Sequence, residues 1–183
     1  MTPTQEVCNA ASMLLPSLIF GYEVATHWPN PWLTTLLLGS LMHLPSSVAY
    51  HLASAFWKGQ THTDLRRLDQ SMIHLAGSVF ALALSRGSAL YSATHLCHSL
   101  FCISRIKRFG RRNWIDAARS VFLWLLPMAG HWEFVTAAVA FFGGGLCFIP
   151  QVNKRYLRGW GHTLFHLGVA GTAWCMCRFV VYK

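Results

Sequence analysis

Long apolar stretches separated by short polar segments dominate the chain. A helix needs about 20 apolar residues to cross a hydrocarbon core of roughly 30 Å, and seven stretches near that length occur. They cover residues 10–26, 31–56, 68–84, 88–106, 114–130, 132–149 and 160–182. The pattern predicts an all-α membrane protein, a seven-transmembrane helix bundle in which residues 1–183 form one domain. Because Gly130 and His131 leave little room for a turn between the fifth and sixth stretches, a five-span or six-span chain with re-entrant segments is the alternative.

The composition favours an exterior that faces lipid. Hydrophobic residues make up 54% of the chain and charged residues 11%, whereas soluble domains carry about 25% charged residues. Residues 1–9 contain no Lys or Arg, so the basic leader of a cleaved signal peptide is missing, and we expect the first helix to stay in the membrane. The six cysteines have no spacing typical of an extracellular disulfide module and are interpreted as small apolar residues.

The basic residues predict the orientation of the chain. Most of the 15 Lys and Arg residues fall in alternate loops, after spans two, four and six, and only Arg86 lies in the loops on the opposite side. The clustered residues are Lys58, Arg66, Arg67, Arg105, Lys107, Arg108, Arg111, Arg112, Lys154, Arg155 and Arg158. The positive-inside rule then puts the N-terminus in the cytoplasm and the C-terminus outside or in a lumen. The net charge of +9 therefore indicates contact with phospholipid headgroups, and we expect no nucleic-acid partner.

Several polar side chains lie inside the predicted spans, where an unpaired ionisable group is costly and is by default a functional candidate. They are His43, Ser47 and His51 in span two, Asp69 and His74 in span three, and His162 and His166 in span seven. With the predicted orientation, four of these side chains lie at similar depth near the cytoplasmic ends of the three spans.

The spacing of these residues predicts a catalytic metal site. His162 and His166 lie one helical turn apart and form a bidentate face, and His51 supplies a third imidazole. Three protein ligands leave a fourth position for water, whose pKa zinc lowers to about 7. Asp69 would orient that water or take its proton, and Ser47 would donate a hydrogen bond to a carbonyl oxygen under attack. The alternative is that these groups join helices through hydrogen bonds alone.

Three strings in chain order carry a family resemblance. They are Ser-x-x-x-His at 47–51, Arg-Arg-Leu-Asp at 66–69, and His-x-x-x-His at 162–166. The pattern resembles the haemolysin III and progestin/adipoQ (adiponectin) receptor family, within a superfamily that includes the alkaline ceramidases. The gap of 18 residues from His51 to Asp69 and the cytoplasmic N-terminus are similar to the receptor and haemolysin branch.

The resemblance implies a Zn²⁺ ion held by His51, His162 and His166, with Asp69 and Ser47 at the metal-bound water. It also implies membrane lipids as partners, and for some members the hydrolysis of a lipid amide such as ceramide or a related sphingolipid. Other members are described as receptors or haemolysins. We therefore expect a zinc-dependent lipid hydrolase, with a non-catalytic receptor or regulator holding a structural zinc, or a haemolysin-like pore former, as alternatives.

Other polar residues receive structural interpretations. His43 lies about two turns from His51 and is expected to line a cavity or contact a helix. His95 and His98 are expected to form interhelical hydrogen bonds rather than a second metal pair. Glu6, Asn9 and Ser12 resemble the polar start of the first helix in both branches of the superfamily. The glycines at 143–145 would allow close packing or a bend, and a lipid-access slot there is a hypothesis.

Overall fold

The computed structural model describes residues 1–57, 63–109 and 114–183, and the side chains within those ranges other than those of residues 107–109 and 114. These ranges contain helices and turns and no strand, which confirms the all-α prediction. Lys58, Arg111 and Arg112, which contribute to the predicted orientation, lie outside the described residues, as do the side chains of Lys107 and Arg108.

The helices follow the predicted stretches, with differences at several boundaries. In order they are α1 (Pro3–Ser12), α2 (Leu14–Thr26), α3 (Pro31–Phe56), α4 (Thr63–Leu84), α5 (Ala89–Phe109), α6 (Trp114–Leu125), α7 (Trp132–Leu146), α8 (Pro150–Arg155) and α9 (Gly161–Tyr182). A 3₁₀ turn at Leu126–Met128 follows α6.

The first helical segment begins at Pro3 rather than at residue 10. Thr2 and Gln5 form a capping box, in which the Gln5 backbone N–H donates to Thr2 Oγ1 at 3.3 Å and the Thr2 N–H donates to Gln5 Oε1 at 2.9 Å. Proline at the first helical position supports the same start. The extra turns place polar residues inside the bundle, since Glu6 and Asn9 of α1 are buried.

The stretch predicted as one span over 132–149 is shorter in the structure. Helix α7 ends at Leu146, and Pro150 opens the short helix α8, which leads to α9. Proline lacks a backbone N–H and is well suited to a first helical turn, so it separates the two helices. Helix α9 then begins at Gly161, one residue before the first histidine of the predicted site.

Helices α7 and α9 pack with their backbones close together. A Cβ atom added at Gly168 would lie 2.3 Å from the Ala140 carbonyl oxygen, and one at Gly144 would lie 3.2 Å from the Phe165 Cα atom. Only glycine permits this approach. The glycines at 143–145 were expected to allow close packing or a bend. Gly144 is a packing residue, whereas Gly143 and Gly145 face open space.

Two helical segments are long and apolar enough to cross a membrane by length and composition, namely Pro3–Thr26 and Gly161–Tyr182. Helix Trp132–Leu146 is apolar but shorter. The described residues thus support membrane association, and the complete set of seven spans stays a prediction. The intervening helices α3 and α4 carry buried polar residues, among them Ser47, His51, Asp69 and His74, which lower their overall hydropathy.

Candidate metal centre

Three histidine side chains meet at one end of the bundle. One ligand atom from each of His51, His162 and His166 lies within 4.8 Å of the other two. The ring centroids are 4.7 Å apart for His51 and His162, 5.5 Å for His51 and His166, and 4.6 Å for His162 and His166. Helix α3 thus brings one imidazole against the His-x-x-x-His face of α9. The three predicted ligands lie together.

Glu6 of α1 orients the His51 ring. His51 Nδ1 lies 2.7 Å from Glu6 Oε2, and both side chains are nearly inaccessible to solvent. A carboxylate only accepts hydrogen bonds, so Nδ1 is the donor in this pair and Nε2 is the nitrogen left for a metal. Asn9 Nδ2 donates to the same carboxylate oxygen at 3.4 Å. Such a carboxylate partner is the usual support of a metal-binding histidine.

The His166 ring is oriented by the same helix. Its Nδ1 atom lies 3.1 Å from the Asn9 carbonyl oxygen and 2.8 Å from Ser12 Oγ. The carbonyl accepts, and the Ser12 hydroxyl itself donates to that carbonyl at 2.9 Å. Nδ1 therefore carries the hydrogen, and Nε2 of His166 is left as a ligand atom. In both rings Nδ1 is engaged by an oxygen acceptor, so Nε2 is the nitrogen left to bind a metal.

His162 is placed by the contacts at the start of α9. The Gly161 N–H donates to Asn153 Oδ1 at 3.0 Å, and the Thr163 hydroxyl donates to Asn9 Oδ1 at 2.7 Å. The His162 ring packs against Phe148 at 4.7 Å between centroids. A Cβ atom at Gly161 would lie 2.1 Å from the Cys147 carbonyl oxygen, so no side chain fits beside this histidine.

Asp69 and Ser47 lie beside the histidines and outside the ligand set. Both line the cavity that the three imidazoles line, and both are buried. Asp69 Oδ1 lies 2.9 Å from His43 Nε2. The carboxylate is thus held at the cavity by His43 of α3, outside the cluster of potential ligand atoms.

The cavity has a volume of about 1340 Å³ and combines a polar end with an apolar interior. The polar end carries the histidines and Asp69. Aromatic rings continue from there in a row with centroid separations from 4.7 to 6.2 Å. In order they are His162, Phe148, Phe165, Phe141, Trp124, Phe80 and Phe20, and all line the cavity.

The donor set fits a zinc ion of the catalytic type. Zinc prefers imidazole nitrogen, and catalytic sites combine three protein ligands with one open position. Within the described ranges the cluster holds three donors, and their shared cavity leaves room for a water and a substrate. The hydrogen bonds to Nδ1 of His51 and His166 fix the orientation of these two rings. Zinc itself stays a prediction.

Sequence reasoning left two contacts of this site unassigned. Glu6 of α1 supports His51, although the first span was predicted to begin after it, and His43 pairs with Asp69 rather than only lining the cavity. The spacing of Glu6, Asn9 and Ser12, three residues apart on one helix face, was the available signal for the first contact.

The prediction for His95 is confirmed. This buried residue bonds across helices, with Nε2 donating to the Ser120 carbonyl at 3.2 Å and Nδ1 lying 3.2 Å from Ser78 Oγ. His98 differs from the prediction, because its hydrogen bond joins it to Cys102 Sγ of its own helix at 3.5 Å. Neither histidine belongs to a cluster of metal ligands among the described residues.

Comparison with known proteins adds no relative to this picture. No protein-family model, curated protein or solved structure matches the chain.

Proposed function

We propose that the protein is a zinc-dependent membrane hydrolase that cleaves an amide or ester bond of a lipid. The observation that carries this proposal is the convergence of His51, His162 and His166 at the polar end of a large apolar cavity. The resemblance to the haemolysin III and adiponectin receptor family, and through it to alkaline ceramidases, supports the same reaction.

The residues around the site have distinct roles in this proposal. His51, His162 and His166 would hold the zinc ion, which would supply a water with a pKa near 7 and a Lewis acid for the carbonyl group. Asp69 accepts the proton of the attacking water and later delivers it to the leaving amine or alcohol. Ser47 donates a hydrogen bond to the carbonyl oxygen as negative charge develops on it. Glu6, through its bond to His51, keeps one ligand ring in place.

The apolar interior favours a substrate with a long hydrocarbon chain. Phe80, Trp124 and Phe141 line it, together with Ala173 and Met176 of α9. Met176 lies ten residues beyond His166, so the cavity follows about 15 Å of helix α9 away from the histidines. An acyl chain fits this space, with its carbonyl carbon at the polar end. Ceramide or a related sphingolipid is the substrate class that the family resemblance favours.

We propose that the bundle spans the membrane seven times with its N-terminus in the cytoplasm. Large apolar side chains lie on the outside, as shown by exposures of 81% for Leu90 and 68% for Val139, while polar Asn9 and Ser99 are 0% exposed. A surface of this kind suits lipid and not water. Epitope tags at the two termini test the topology. The N-terminal tag should be accessible only from the cytoplasmic side and the C-terminal tag only from the opposite side.

A purely structural zinc is less well supported. Direct hydrogen bonds already join α1 to α3 through Glu6 and His51, and α1 to α9 through Ser12 and His166. The helices therefore have contacts that hold the site without a metal clamp. A receptor with structural zinc would turn over no lipid, and a haemolysin-like pore former would cause liposome leakage that ignores loss of the zinc ligands.

Hydrolysis of a fluorescently labelled ceramide by the purified, zinc-loaded protein tests the proposal. We expect product formation by the wild type and none by His162→Ala. Hydrolysis that survives this substitution would contradict the mechanism, and the absence of turnover for a panel of lipid amides and esters would favour the receptor interpretation.

A further inference from the structure

We infer that His43 is a positioning residue for the reaction, which acts by fixing the orientation of the Asp69 carboxylate. This inference rests on the proposed function and assigns a role to a side chain outside the metal cluster. His43 Nε2 lies 2.9 Å from Asp69 Oδ1, and the two side chains are 15% and 13% exposed. They belong to α3 and α4, and both line the cavity.

The direction of this hydrogen bond follows from its partners. An ionised carboxylate has no hydrogen to donate, so the His43 Nε2–H group donates to Oδ1 of Asp69. The second oxygen, Oδ2, is left for other partners at the site. One nitrogen of His43 thus determines which oxygen Asp69 presents.

The carboxylate needs such a partner because its own torsion is soft. The terminal torsion of an aspartate is broad and roughly two-fold, unlike the sharp staggered wells of other side-chain bonds. Proton transfer requires a heavy-atom distance of about 2.6–3.2 Å in the reacting complex. Without a fixed hydrogen-bond partner, Asp69 would populate rotations in which neither oxygen meets this condition.

Helix α3 is built to hold Asp69 from one side. His43, Ser47 and His51 are spaced by four residues and share one helix face. His43 holds the Asp69 carboxylate, so the helix that supplies a proposed metal ligand also supplies a contact to the proposed base. His43 cannot join the metal cluster itself, because it lies about 12 Å along the helix axis from His51.

The alternative explanation is that the His43–Asp69 hydrogen bond only joins α3 to α4 and has no role in the reaction. Variants at position 43 distinguish a positioning role from this structural role. His43→Leu removes the donor, whereas His43→Gln places an amide N–H near the former Nε2 position. His98→Leu is the matched control, since His98 is a partly buried histidine of α5 that contacts Cys102 and does not line the cavity.

Each variant is loaded with zinc for kinetics on a fluorescently labelled ceramide and with Co²⁺ for visible absorption spectra. For His43→Leu we expect kcat to fall about 10- to 100-fold, in the range typical of groups that orient a metal site. KM and zinc content should stay unchanged. The cobalt spectrum should change because the water beside Asp69 loses a fixed partner. His43→Gln should recover most of kcat and the wild-type spectrum, and His98→Leu should match the wild type.

Three results would overturn the inference. The first is a His43→Leu protein with wild-type kcat and cobalt spectrum. The second is a His43→Gln protein whose kcat is no higher than that of His43→Leu. The third is a loss of zinc on substitution of His43, which would indicate a role in building the metal site. Failure of the proposed function gives a different result. In that case the wild type hydrolyses no lipid, while the cobalt spectra of the variants still show whether His43 orients Asp69.

Discussion

Glu6 Oε2 lies 2.7 Å from His51 Nδ1 and joins α1 to α3 across 45 residues of chain. This bond fixes the ring and the tautomer of one of the three clustered histidines. Asn9, one turn further along α1, supports both the Glu6 carboxylate and the His166 ring. The first helix is therefore part of the site, although it contributes none of the clustered imidazoles.

Replacement of Glu6 should weaken metal binding without unfolding the bundle. For Glu6→Gln we expect zinc affinity to fall about 10- to 100-fold, because outer partners of a ligand histidine have effects of this size. Competition with a chromophoric chelator measures the affinity. Glu23→Gln is the control, since Glu23 pairs with His27 near the opposite end of the bundle. Equal zinc affinities for the two variants would show that the Glu6 contact does not support the metal.

Asp69→Asn should abolish turnover while the metal stays bound. Asparagine keeps the shape of the side chain but cannot accept the proton of the attacking water, so kcat should fall about 10²- to 10⁴-fold. Zinc content should remain at the wild-type level because Asp69 lies outside the ligand cluster. Asp64→Asn is the control on the same helix, where the carboxylate is 97% exposed. Loss of zinc from Asp69→Asn would instead identify Asp69 as a ligand.

The close packing of α7 and α9 should be sensitive to a single methyl group. Gly168→Ala would bring a Cβ atom to 2.3 Å from the Ala140 carbonyl oxygen, whereas Gly143→Ala meets nothing within 4 Å. Both changes gain similar helix propensity, so their difference isolates the clash. Gly168→Ala should be less stable than Gly143→Ala by about 1–3 kcal/mol, measured by thermal unfolding in detergent. Equal stabilities would contradict the close approach.

A larger side chain in the depth of the cavity should shorten the preferred acyl chain. Ala173 is buried and lines the apolar interior, about 10 Å along α9 from His166. For Ala173→Leu we expect kcat/KM to fall roughly 10-fold for a 16-carbon amide but to change little for a 6-carbon amide. A uniform effect on both probes would place the acyl chain elsewhere.

The sequence predicted the helices and the shared face of His162 and His166 because both depend on local patterns, whereas the approach of His51 was expected from the predicted orientation of the spans and from the family resemblance. Apolar stretches define helices, and spacings of four residues place side chains on one face. The partners of those histidines could not be predicted in the same way. Glu6 reaches His51, and His43 reaches Asp69, through the relative rotation and depth of helices that are distant in the chain.

Where the helix boundaries differ from the predicted ones, the cause is local and is not visible in the pattern of apolar residues. The capping box of Thr2 and Gln5 extends α1 toward the N-terminus, and Pro150 opens a separate short helix after α7. Hydropathy is also a weaker guide where polar side chains face the interior, as they do in α3 and α4. The number of membrane spans therefore needs the topology experiment.

Elemental analysis of the purified wild type and of His166→Ala is the most direct test of the metal centre. The account predicts about one zinc per chain in the wild type, as expected for a three-histidine site, and little or none in His166→Ala. His95→Ala, which removes a buried histidine outside the cluster, should retain its zinc. A wild-type protein that binds no zinc, or a His166→Ala protein that keeps it, would contradict the account.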